Sequence, residues 1–265
     1  MPLLSGVYLA KKKNGETYYR SSITFQNKHI SLGSFSNEFL AHKAYQLAGK
    51  VLNTSRYTLE TYLPNNHILS FEKWVVLINF RDNRLYFKTP IYIRNRYFEY
   101  YLDPQTLLKF AVDDLFYYAN HKIMRRGGHL FVADFGMQVN ILSRYGIKNF
   151  AVPGRDFMFM NGDTYDYRYE NIRIINNYHG TLKTVNKGIP VYLSKIHING
   201  DYIIGRYPTE DDAAIAYNKA AEFLMKHGVS KHYPLNFING LSTEEYKKRY
   251  DAINLSKKII HYESN

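Results

Sequence analysis

The chain has 265 residues, a formal net charge of +12 and a pI near 9.5, with 26 tyrosines among its 16% aromatic residues and no cysteine. Without cysteine, disulfides and thiolate metal sites are excluded, and no apolar run is long enough to span a bilayer or has the order of a signal peptide, so a cytoplasmic protein without a membrane partner is expected. The charge favours a polyanionic partner and the aromatic residues supply stacking surface as well as core, which places nucleic acid first among partner classes.

The first predicted strand is Gly6 to Ala10, followed by a turn at Lys11-Lys12-Lys13-Asn14-Gly15. Alternation then sets Tyr19, Ser21, Ile23 and Phe25 on one side of a second strand and Arg20, Ser22, Thr24 and Gln26 on the other. Asn27-Lys28 is the expected hairpin tip before a third strand. Ser36, followed by Asn37 and Glu38, is the expected N-cap of a helix whose Ala41, Ala44, Tyr45, Ala48 and Leu52 share one face. That face is mostly methyl groups, so the helix can lie close to a sheet, covering one side and leaving the other free.

Leu63-Pro64-Asn65-Asn66 reads as a linker. Beyond it, Trp74 to Phe80 and Leu85 to Tyr101 are predicted strands, and Asp103-Pro104 is expected to cap a helix carrying Leu108, Ala111, Val112, Leu115 and Ala119. This middle region reads either as a diverged third module or as a plain α+β insert. The alternating aromatics from Tyr92 to Tyr101 suit a homodimer surface or a core. A strand at His129 to Ala133 and a helical segment reaching Tyr145 are expected next.

Near the C-terminus the opening pattern returns. Ile203 to Leu224 aligns without a gap with Ser31 to Leu52, matching Gly33 to Gly205, Glu38 to Glu210, Ala41 to Ala213, Ala44 to Ala216, Tyr45 to Tyr217, Ala48 to Ala220 and Leu52 to Leu224. Asn199-Gly200 is its expected hairpin tip and Thr209 its N-cap. The fold class is therefore α+β, with two modules of three antiparallel strands and a helix flanking a central region. Expected divisions are residues 1–60, 61–124, 125–178, 179–240 and 241–265, the last a helix or tail.

The hairpin Phe157 to Tyr165, the turn Asn161-Gly162-Asp163 and the closing Glu170-Asn171-Ile172-Arg173 resemble the ββα motif of HNH homing endonucleases. His179 through Leu235-Asn236-Phe237 is similar to the Apetala-two/ethylene-response-factor DNA-binding domain, and residues 5–55 extend that resemblance to the first module. Where the HNH family has its general-base histidine and an adjacent metal ligand, this chain has Phe159 and Met158, and Tyr167 stands where the family often has Asn. Phenylalanine and methionine can neither deprotonate water nor hold a hard divalent ion. The resemblance thus implies a binding-only centre with no catalytic residue, metal or cofactor, Asn171 capping the helix, His129 structural, and Arg155, Arg168 and Arg173 either meeting phosphate or groove edges or serving as scaffold.

In the second family the sheet lies in the DNA major groove, its helix-free face towards the bases. The matching positions are Tyr8, Arg20, Ser22, Thr24, His29 and Ser31 in the first module and Leu182, Thr184, Lys195 and His197 in the second. Lys11, Lys12, Lys13, Lys183, Lys187, Lys195 and Arg206 are the candidates for phosphate. The combined resemblance implies a sequence-specific double-stranded DNA-binding protein of bacterial or phage type, nucleoid-associated, a transcriptional regulator descended from an HNH endonuclease without its nuclease activity. An active nuclease with non-standard ligands and an RNA-binding or protein-interaction adaptor are the alternatives.

Overall fold

In the computed structural model, which describes residues 2–63 and 68–262, the chain divides into unit 1, Met1–Val139 with Thr164–Tyr169, and unit 2, Asn140–Asp163 with Glu170–Asn265. The expected turn at Pro64, Asn65 and Asn66 lies outside the described residues. The fold is α+β, with several small three-stranded antiparallel sheets.

Unit 1 opens with β1 (Val7–Lys11), β2 (Thr17–Phe25) and β3 (Lys28–Phe35), an antiparallel sheet in sequence order, and α1 (Glu38–Asn53) across one face. Ala41, Ala44 and Ala48 are fully buried, as the methyl face requires. The β2–β3 turn is Gln26-Asn27, both with positive φ of 46° and 60°, one residue earlier than expected. The cap of α1 also shifts by one: the Asn37 side chain, rather than Ser36, accepts the Leu40 N–H. Ser21 faces Gly33 but Ser22 faces Ser31, so Leu32 is the extra residue of a β-bulge, turned into the core at 4% exposure.

The stretch Trp74 to Phe80 is not a strand but the heart of α2 (Phe71–Asn83), capped by Ser70. Every residue from Trp74 to Phe80 is buried, so the helix has no polar face there and its period is invisible in the sequence. Arg81 of this helix donates to the carbonyls of Val51, Thr54 and Tyr57 and closes the C-terminus of α1.

A second sheet follows: β4 (Ile91–Ile93), β5 (Tyr97–Tyr101) and β6 (Leu107–Ala111), with residues 85–90 outside any strand. Asp103 caps no helix; its carboxylate accepts the N–H groups of Gln105 and Thr106 in the turn before β6. The helix begins later, as α3 (Leu115–Asn120), because the expected apolar spacing ran through Leu108 and Ala111 of a strand and on into the turn and helix that follow. The aromatics of β5 build core: Phe98 and Tyr100 are buried, and Phe98 stacks on Phe110 with centroids 5.4 Å apart. Then come β7 (Ile123–Arg126), β8 (His129–Asp134) and β9 (Met137–Asn140). The segment to Tyr145 is β9 and a short 3-10 turn rather than an α-helix.

Unit 2 contains the strand pair β10 (Phe157–Phe159) and β11 (Ile172–Ile174), then β12 (Thr181–Asn186), β13 (Ile189–His197), β14 (Asp201–Tyr207) and α4 (Glu210–Lys226). Thr209 caps α4 by accepting the Asp212 N–H, and the turn at 198–200 falls where Asn199-Gly200 was expected. The bulge recurs: Ser194 faces Gly205, Lys195 faces Ile203, and Ile204 is the buried extra residue.

A further shared device locks both modules. Gly6 and Gly180 have φ near +75° and +71°, and a Cβ on either would lie 2.1 Å from the ring of Tyr45 or Tyr217. Each tyrosine therefore rests on bare backbone at the entry to the sheet. Glu38 accepts the Leu4 N–H and Glu210 the Asn177 N–H, tethering the same entry segment to the first turn of each helix. The chain ends in α5 (Thr243–Ala252) and α6 (Lys257–Ile260), against which α4 packs; Lys219 donates to the carbonyls of Tyr250 and Ile253.

Candidate nucleic-acid interface

In unit 1 the register puts Tyr8, Arg20 and Ser34 in one cross-strand row and Thr24 opposite His29 in another, on the side away from α1. All five are exposed, as is Ser31, and Tyr8 shows 54% of its surface. Ser22 shares this side by alternation but is only 7% exposed, its hydroxyl without a hydrogen-bond partner among the described residues. Its N–H donates to the Gly6 carbonyl where the entry segment passes alongside, so, contrary to expectation, it lies outside the exposed contact surface. Lys11 ends β1, while Lys12 and Lys13 occupy the following turn. Lys12 pairs with Glu16 at 2.9 Å on the open surface, a contact of small energetic weight.

The corresponding side in unit 2 carries Leu182, Thr184, Lys195, His197 and Arg206: Leu182 faces Leu193, which faces Arg206, and Thr184 faces Val191. Its cations are largely committed. Asp201 accepts the Lys195 ammonium at 2.5 Å and lies 2.9 Å from His197 Nδ1. The Lys195 hydrogen bond, then that of His197, holds the Asp201 carboxyl below the usual carboxylate range. Lys183 is exposed on the opposite side of β12, across from Tyr192, and Lys187 sits at the hairpin tip with φ +49° between exposed Val185 and Ile189.

The HNH-like stretch takes a different form from the one expected. β10 pairs with β11 rather than with residues 163–165, and Asn171 ends a 3-10 turn that leads directly into β11, so it caps no α-helix. Its side chain instead accepts the Asn161 N–H and donates to the Asp163 carbonyl, fixing the 161–163 turn. Met158 is exposed, and Phe159 packs edge-on against Phe157.

The three arginines are not gathered. Arg168 belongs to unit 1, where it forks onto the fully buried Asp166 at 2.6 and 2.8 Å. Tyr167 beside it stacks on Phe110, and Asp166 forms a parallel bridge to Lys109, so this turn is structural rather than a phosphate contact. In unit 2, Arg155 pairs with its neighbour Asp156 and Arg173 is exposed on β11. His129 is exposed at the start of β8 in unit 1.

Unit 2 also contains a cleft of about 660 Å³ that the sequence did not announce. It is lined by residues 148–151, 155 and 156, before β10, by 231–234, after α4, and by Gly180, Leu182, Lys195 and His197 of the second module. Asn236 holds this arrangement by accepting the His179 N–H and donating to the His179 carbonyl, while its own backbone exchanges two hydrogen bonds with the Asn218 side chain. Burial, and then the charge of Lys148, holds the His179 imidazole below its ordinary pKa. The wall segments have no periodicity, and nothing in the sequence joins the two.

Among the described residues no group of three or more His, Cys, Asp or Glu side chains is placed to hold a metal ion, and no helix is long and apolar enough to cross a membrane. Searches of protein-family models, curated proteins and solved structures gave no significant match to the chain.

Proposed function

We propose that the chain is a sequence-specific double-stranded DNA-binding protein that presents the helix-free side of its first sheet to the duplex. The observation that carries this reading is the exposed Tyr8–Arg20–Ser34 row beside the Lys11–Lys13 run. A narrow antiparallel sheet fits the major groove, Arg20 suits a guanine edge, Thr24, Ser31 and His29 suit smaller contacts, and the lysines suit phosphates. The net charge of +12 supplies long-range attraction to the duplex. The second module adds Thr184, Lys187 and Arg206 as a weaker set, and two linked modules raise effective concentration.

The proposed role is that of a regulator of bacterial or phage type acting at the nucleoid without cutting DNA. The last clause rests on Met158 and Phe159, which offer neither a general base nor a hard-cation ligand at the positions the resemblance assigns to them. The test is a binding selection from a random duplex library with magnesium present, followed by sequencing of the bound molecules and their ends. One enriched, intact motif is expected, lost in Arg20→Ala. Enrichment with defined new ends supports an active nuclease instead. Absence of enrichment overturns sequence-specific duplex binding and directs attention to RNA or protein partners.

A further inference from the structure

The cleft of unit 2 combines three features that the duplex reading does not use. The first is uncompensated positive charge. Asp156 is committed to Arg155, the Val152 N–H and Asn176, and Asp201 to Lys195 and His197. Lys231 is bonded to a neutral group, the His197 carbonyl, and the half-buried Lys148 has no ion-pair partner among the described residues. Four Lys and Arg side chains thus line the cleft against two carboxylates. An anion entering there meets two ammonium groups that no carboxylate neutralises.

The second feature is an aromatic ring held at a cost. Phe150, at the mouth, has φ +67° and is 97% exposed. A bulky residue in the left-handed region carries strain, and this one receives no burial in return. Phe135 has the same combination, φ +46° and 96% exposure, but only Phe150 lines the cleft, and it is that position which makes its bare ring available to cover a ligand. The third is size: about 660 Å³ is in the range of small-molecule sites and far more than an inorganic anion fills.

We propose that this cleft binds a nucleoside 5′-phosphate, with the base stacked on Phe150 and the phosphate held by Lys148 and Lys231. His179, whose ring faces no hydrogen-bond partner among the described residues, supplies a further donor to the phosphate. The inference is independent of duplex reading by the first sheet, because none of these residues belongs to unit 1. The same chemistry has two sources, a free mononucleotide or an unpaired 5′-phosphorylated nucleotide at the end of a strand.

Calorimetric titration of the full chain with deoxynucleoside 5′-monophosphates, a 5′-phosphorylated single-stranded tetranucleotide and inorganic phosphate tests this. Mononucleotides are expected to bind about tenfold more tightly than inorganic phosphate, the margin that one stacked base supplies. Phe150→Gly is the informative variant, because glycine relieves the strained φ and leaves the fold at least as stable. It is expected to remove that tenfold margin while leaving phosphate binding unchanged. Lys148→Gln is expected to weaken both ligands together. A tetranucleotide that binds more tightly than the mononucleotide identifies a strand end as the source; equal or weaker binding identifies the free nucleotide. Equal affinity for phosphate and nucleotide, no effect of Phe150→Gly, or no saturable binding would each overturn the proposal. Loss of the Arg20-dependent duplex motif would leave it standing.

Discussion

The two end modules share their geometry and differ in what they present. Both have the bulge with its extra buried aliphatic residue, the tyrosine resting on an entry glycine, and the glutamate tethering the entry segment. Their open sides are unlike. The first offers Tyr8, Arg20, Thr24 and His29, whereas the second sets Leu182 and Leu193 beside two cations held by Asp201. The supports behind the helices differ as well: Arg81 closes the first and the Asn236 clamp braces the second. Backbone geometry and surface chemistry are therefore separable within one small scaffold.

The shared part is where mutation should cost most. Gly6→Ala and Gly180→Ala each force a methyl into a tyrosine ring at positive φ and should destabilise their own unit by about 2–4 kcal/mol. Hydrogen exchange resolved by residue measures this; reduced protection in one unit alone, by similar amounts in the two variants, is the expected result. Unequal reductions would show that the differing supports matter more than the shared entry. Asn236→Ala leaves the His179 N–H and carbonyl short of their side-chain partner, while the backbone bonds to Asn218 persist, and should cost unit 2 about 1–3 kcal/mol with unit 1 untouched.

The open sides should differ in response to salt. Replacing Lys11, Lys12 and Lys13 together by Ala is expected to weaken binding to all duplexes alike and flatten the log K against log salt slope by about 0.9 for each phosphate that is no longer neutralised. An unchanged slope would exclude the lysine run. Asp201→Asn frees Lys195 and His197 and should tighten duplex binding by about two- to fivefold at low salt. No change there would leave the second sheet outside the interface.

The smallest expected difference is in acid. The residue before the entry glycine is Ser5 in the first module and His179 in the second. Because the folded imidazole is held below the ordinary value of 6.5, the unfolded chain takes up the proton first as the pH falls. Unit 2 should keep this contribution above pH 6.5 and lose it on acidification, and His179→Gln should remove that dependence in denaturant titrations at about pH 7.5 and about pH 5.5.

Much of this was legible because it is local. The alanine face of α4, the Thr209 cap and the alternation in β2 each follow from a few neighbouring residues. The misreadings arose where that locality fails. In α2 complete burial erased the helical period, and around Asp103 one apolar spacing ran through a strand and into a turn. The burial of Ser22 depends on a segment sixteen residues upstream, at Gly6. The cleft joins residues near 150, 180, 197 and 232, and no window of sequence contains such a site.

The segment Thr164–Tyr169 belongs to unit 1 although the chain on both sides of it belongs to unit 2. No single scission can therefore release either unit whole. A fragment ending at Val139 would strip Lys109 of the strand partners it finds at Tyr165 and Tyr167, and would uncover the ring of Phe110. Its β6 would become a bare sheet edge beside an exposed aromatic, a surface prone to self-association. During synthesis this edge must wait for residues 164–169 to emerge, so the N-terminal unit is completed only after residues 140–163 of unit 2 have been made.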